Sequence, residues 1–170
     1  MPQTVFGQSD AATRSLVTAL NAASGAGAFC LSLTAATTYA RKMEVGDIGN
    51  VGAPVNVQVF PGHDAADRVG LSGQYDDTYG VHVLLQQHVG AVAETQVPLL
   101  LQLRSEVAEF LMARGLTVPA AVHAFSNAHV LGLRHGPEGV YWLDRLEQLN
   151  CFYADMILTY RAAGLCRRNG

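Results

Sequence analysis

From Asp10 onward the apolar positions Ala12, Leu16, Val17, Leu20 and Ala23 recur every three or four residues, until the run Ser24 to Gly27 breaks the pattern. That spacing lays one apolar stripe along a helix, so a helix is predicted over 10–24, with Asp10 as its N-cap. The period then changes to two: Phe29, Leu31 and Leu33 alternate with Cys30, Ser32 and Thr34, which predicts a strand over 28–36. Arg41 to Pro54 carries Gly46, Gly49, Gly52 and Pro54 and reads as loop. Val55, Val57 and Val59 face away from Asn56, Gln58 and Phe60 in a strand over 55–60, closed by Pro61 and Gly62. His63 to Gln74 is polar and glycine-bearing, and is expected to be a long exposed connection. The next strand, over 75–89, sets Tyr79, Val81, Val83 and Leu85 opposite His82, Leu84 and Gln86. Two neighbouring strands joined this way predict an antiparallel hairpin.

Thr95 offers a second N-cap, with Pro98 in the first turn and Leu100, Leu103, Val107, Phe110 and Leu111 on one stripe; a helix is predicted over 96–114, stopped at Gly115. Residues 120–133 read as strand or loop ending at Gly136 and Pro137, and Tyr141 to Gln148 as a short turn or helix. Phe152, Ala154, Met156, Leu158 and Tyr160 then alternate with Tyr153, Asp155, Ile157, Thr159 and Arg161 in a strand over 150–162, followed by a tail over 163–170. The order lacks regular βαβα alternation and predicts an α+β fold: one domain over 1–170, a mainly antiparallel sheet with two amphipathic helices packed on one face. The other face is left to solvent or to a neighbouring subunit.

Composition narrows the function. The chain has 170 residues, 49% of them hydrophobic and 15% charged, with a formal net charge of −3. These values exclude a disordered chain and a strongly basic nucleic-acid binder, and the low charge favours self-association. No membrane-spanning apolar run and no secretory leader is evident, so a cytoplasmic origin is expected. Cys30, Cys151 and Cys166 have no CxxC spacing; Cys30 and Cys151 sit in apolar segments and are expected to behave as small hydrophobes.

Candidate chemistry is sparse. Six histidines, His63, His82, His88, His123, His129 and His135, lack the i, i+4 helical spacing of a zinc pair. The doublet His63-Asp64, with His82, would suit a small metal-dependent hydrolase only if helical and joined by further ligands, whereas here it follows a Pro-Gly turn. No nucleophile elbow, phosphate loop or dinucleotide turn is present. No catalytic residue, cofactor or metal is therefore expected. Asp76, Asp77 and Asp155 read as carboxylates on a strand face that reaches water, a pore or a partner. A binding module with a ligand on the open sheet face is a further alternative.

Several segments resemble a known family: the helix TRSLVTALNAA, the step TTYARKMEVGDIGN, the strand PVNVQVFPG, the long strand YGVHVLLQQHV, the helix VPLLLQLRSEVAEFLMARGL and the closing strand FYADMILTYRA with Thr159, Tyr160 and Arg161. From about Thr13 to Arg161 the chain resembles the tail terminator, or tail-completion, proteins of the neck of tailed bacteriophages and prophages. The resemblance implies a non-enzymatic virion subunit that forms a ring, commonly hexameric, made in the host cytoplasm. The ring would cap the completed tail tube, join it to the head connector, and let genomic DNA pass its lumen without sequence-specific binding. Another neck or tail-tube-like subunit is the alternative within this class. Ring contacts are expected from Arg41, Lys42, Glu44 and Asp47 and from His63, Asp64, Asp67 and Arg68, because loops on a rigid sheet reach a neighbour.

Overall fold

The computed structural model describes residues 8–38, 48–69, 74–113 and 128–166. The elements are α1 (Gln8–Gly25), β1 (Leu33–Thr37), β2 (Val55–Val69), β3 (Gln74–His88), α2 (Ala93–Ala113), β4 (Ala128–His135), α3 (Leu143–Leu149) and β5 (Cys151–Cys166). The five strands form one sheet in the order β1-β2-β3-β5-β4. β1 runs parallel to β2 and every other pairing is antiparallel, so this is an α+β fold with a mostly antiparallel sheet.

The period-two patterns translate directly into two sheet faces. Val55, Val57 and Val59, Val81, Val83 and Leu85, and Phe152, Ala154, Met156 and Leu158 share one buried core with Leu16 and Leu20 of α1 and Leu100, Leu103, Val107 and Leu111 of α2. α1 lies over β1 to β3, and α2 over β4 and β5. The second face is not open as expected. Ile48, Leu84, Cys151 and Tyr153 form a smaller core there, with Phe60, Trp142 and Leu149 packed against it. α3 lies against β5, so the short segment read as a connector covers part of this face.

Asp10 falls inside the first turn of α1 instead of capping it. The helix ends in a Schellman arrangement: Ala28 N–H donates to Ala23 O (3.0 Å), Gly27 N–H donates to Ser24 O (3.0 Å), and Gly27 takes φ +73°. This exit explains why the strand expected from residue 28 begins only at Leu33. Phe29 leaves the sheet to meet Phe110 edge-on at 5.6 Å, and Cys30 N–H donates to Glu106 Oε2 at 2.7 Å. Cys30 is exposed, not a core residue; partial desolvation and the Glu106 carboxylate push its thiol up to about 11. α2 likewise starts ahead of the expected cap, and Thr95 Oγ1 donates back to Val92 O (3.1 Å).

β1 is an edge strand whose free side is closed by side chains. Asn21 Nδ2 donates to Ala35 O (2.9 Å) and Ala35 N–H donates to Asn21 Oδ1 (2.8 Å). Ser24 Oγ repeats the pattern at Leu33, donating to its carbonyl (3.0 Å) and accepting from its N–H (2.9 Å). The end of α1 thus stands in for a neighbouring strand. Asn21→Ala removes both bonds to Ala35 and should cost about 1–2 kcal/mol in urea unfolding. An unchanged midpoint would show that the clamp carries no stability.

The largest departure from expectation lies between Pro61 and Gln74. The ladder does not stop at Pro61: Asp64 pairs with Tyr79, Asp67 with Asp76, Arg68 with Tyr75 and Val69 with Gln74. What read as a long polar connection is mostly strand. β5 likewise continues through residues read as a tail, pairing Leu165 with Tyr75 and Cys166 with Gln74. Pairing supplied by neighbouring strands overrides the weak strand propensity of Gly, Asp and Ala here. The change comes at a β-bulge between Pro61 and Asp64, where an added Cβ at Gly62 would sit 3.0 Å from Gly80 O.

Candidate interaction surfaces

The structure offers three places where polar chemistry meets the packed sheet. On the second face, His82 of β3 stacks on Phe60 of β2, with ring centroids 4.8 Å apart and planes 9° apart. Its Nδ1 lies 3.4 Å from Asp155 Oδ1, at the long limit of a hydrogen bond. Asp155 is fully buried, contrary to the expectation of a carboxylate on a wetted face. Gly136 closes over it and donates its N–H to Asp155 O at 2.9 Å. Nearby, burial pushes the Tyr153 phenol and the Cys151 thiol upward; Cys151 also raises the phenol, and Arg145 opposes this.

The sequence-derived hydrolase set does not come together. His82 is paired with Phe60, whereas Asp64 is paired with Tyr79, three β3 residues further on. That is about 10 Å along the sheet and an odd number of residues, which places the two positions on opposite faces. Among the described residues no group of three or more His, Cys, Asp or Glu side chains converges on a metal position.

A second place is the distal ladder formed by the ends of β2, β3 and β5. It contains four of the predicted contact residues, His63, Asp64, Asp67 and Arg68, in strand and not in loop. The other four, Arg41, Lys42, Glu44 and Asp47, lie outside the described residues. Thr38 N–H donates to Val59 O, and from Pro61 onward no strand lies against the outer edge of β2 among the described residues. Pro61 suits this edge because it has no N–H to offer. On the other side of the sheet β4 covers β5 from Met156 to Ala162, and Gly136 and Trp142 donate their N–H groups to Asp155 O and Tyr153 O; β4 is itself the outermost strand, with no strand against its outer side among the described residues.

The third place was missed by sequence reasoning. Arg104 sits in the apolar stripe of α2 and is only 6% exposed. Its guanidinium donates to His135 Nδ1 at the end of β4, and its Nε has no hydrogen-bond partner among the described residues. Desolvation depresses the guanidinium pKa. The available signal was an arginine one residue after Leu103 and three before Val107, inside a stripe that is otherwise apolar.

A groove of about 360 Å³ also lies beside α3, lined by Tyr141, Trp142, Asp144 and Arg145, with Arg145 5.9 Å above the Trp142 ring. Among the described residues no helix is long and apolar enough to cross a membrane.

No protein-family profile and no curated protein matches the chain. Among solved structures, one chain of "Virion of native gene transfer agent (GTA) particle" is similar at 13% identity and a TM-score of 0.38, over 71% of this chain and 81% of that one. No residue role is carried across from it.

Proposed function

We propose that this protein is a structural subunit of a phage-like particle, working through its interfaces and not through catalysis. More specifically, it is a tail terminator: a ring, hexameric in the simplest case, that caps the completed tail tube at the neck and receives the head connector. The supporting sequence resemblance runs from the alanine-rich first helix to the Thr159, Tyr160 and Arg161 end of the last strand.

The observation that carries the reading is sheet edge left without a partner strand among the described residues. α1 covers the free side of β1, but β4 is an outermost strand with no strand against its outer side among the described residues. The β2 edge beyond Val59 has no such cover among the described residues, although exposed edges are ordinarily blocked. Edges without a partner strand on both sides of one sheet suit contact with copies of itself. In this reading His63, Asp64, Asp67 and Arg68 lie at ring contacts together with Arg41, Lys42, Glu44 and Asp47. Tail tube and connector bind the two ends of the ring, and DNA passes its lumen without sequence-specific contacts.

Native mass by light scattering, followed by negative-stain imaging with and without tail tubes, tests the assignment. Closed rings, alone or seated on tube ends, are expected. Stacked tubes would favour a tail-tube-like subunit, and a monomer that ignores tubes would overturn the reading.

A further inference from the structure

The groove beside α3 gathers the side chains that dominate binding energy at protein interfaces. Tyr141 and Trp142 line it half-buried, with Arg145 over the Trp142 ring, and Leu143 in its wall and Val140 just before it are 51% and 44% exposed. Two carboxylates, Glu138 and Asp144, complete the charged lining, and neither has an ion pair or a side-chain hydrogen bond among the described residues. Glu147 adds a third carboxylate on α3, while Arg134, at the end of β4, lines a separate hollow with Leu133 and Thr159. Aromatic faces beside unpaired carboxylates are what receives a guanidinium group.

Two adjacent basic pairs exist in the chain. Arg41 and Lys42 are followed closely by Glu44 and Asp47, which offset their charge, whereas Arg167 and Arg168 have no acidic side chain after them. This second pair follows β5 directly and lies outside the described residues. It cannot reach the groove of its own subunit. The groove sits at the start of β5, where Trp142 N–H donates to Tyr153 O, and Tyr153 and Cys166 are thirteen residues apart in that strand, about 43 Å. Two further residues span only about 7 Å.

We infer that the groove of one copy receives Arg167 and Arg168 of the next, their guanidinium groups pairing with Glu138 and Asp144 over the Tyr141 and Trp142 rings. The contact joins opposite ends of β5, so it is head-to-tail, and its repetition closes a ring or grows a filament. This inference rests on the ring reading above and names one of its contacts.

Sedimentation of the full chain tests it, with Trp142, the sole tryptophan, reporting on the groove. Arg167→Glu with Arg168→Glu, and separately Glu138→Arg with Asp144→Arg, should each raise the concentration needed for assembly by about tenfold or more. Both should melt like the parent, the second because Glu138 and Asp144 are exposed. An equimolar mixture of the two should assemble as the parent does, because each altered surface then meets its complement. Acrylamide quenching of Trp142 should fall as the parent assembles. Assembly of either variant at the parent's concentration, no restoration in the mixture, or unchanged quenching in the assembled parent overturns this inference and leaves the ring reading standing. A loss confined to the groove variant overturns it equally, because another segment then fills the groove. A parent that stays monomeric at every concentration overturns both.

Discussion

Replacing Phe152 by alanine should lower the unfolding free energy by about 3–5 kcal/mol, the cost of deleting a buried aromatic ring and leaving a cavity. Phe152 is fully buried in β5, on the face that carries Leu100, Leu103 and Val107 of α2. Its ring also stacks on Tyr141 at 5.8 Å, on the segment that leads into α3. One side chain thus joins the main core to the chain crossing the end of β5, and collapse around the gap would have to move both. Urea unfolding should show a lower midpoint with an unchanged slope, the sign of lost stability without a changed unfolded state. A loss below about 1 kcal/mol would mean that the site repacks, which a two-sided anchor does not permit.

The parts of this fold that could be read from the chain are those where one periodicity decides the outcome. Val55, Val57 and Val59, and Phe152, Ala154 and Met156, face one core because a strand has no other way to bury alternate residues. The stripe from Leu100 to Leu111 likewise fixes which side of α2 meets the sheet. Illegible were features set by a partner strand or a distant side chain. Gly70 and Gly73 in the sequence, and the poor strand propensity of Asp64, Asp67, Asp76 and Asp77, make the distal ladder look like loop until β3 and β5 are placed beside β2. Phe29 looked like a strand residue until Phe110 drew it onto α2.

The same limit applies to the chemistry. His82 entered the sequence reading only as a ligand of the alternative hydrolase, and Phe60 and Asp155, neither adjacent in sequence, define its surroundings. Arg104 reads from the sequence as lying off the apolar stripe of α2, as a charged residue ordinarily does; that it is buried and donates to His135 becomes visible only once α2 is seated against β4. The surroundings of a buried polar group are a property of three-dimensional neighbours, not of spacing along the chain.

Gly136→Ala should destabilise the subunit by about 3 kcal/mol, a large effect for one methyl group. A Cβ at this position would lie 2.8 Å from both Asp155 Cβ and Oδ2, and 3.0 Å from Cγ. A rotamer change could move the carboxylate, but the Cβ of Asp155 is fixed by the backbone of β5. Gly136 cannot withdraw either, because its N–H is bonded to Asp155 O at 2.9 Å, and the turn it begins is closed by the Gly139 N–H bond to Gly136 O at 3.1 Å. The strain therefore falls on the crossing that shuts the β5 edge. Asp155→Ala should fail to rescue Gly136→Ala, because it keeps the offending Cβ, whereas Asp155→Gly should recover much of the loss in a double-mutant cycle. Additive losses in that cycle would place the cost of Gly136→Ala elsewhere than in this contact. In the parent, the bare α-carbon of Gly136 lets the turn lie flat on Asp155 and keeps the Gly136 N–H bonded to Asp155 O.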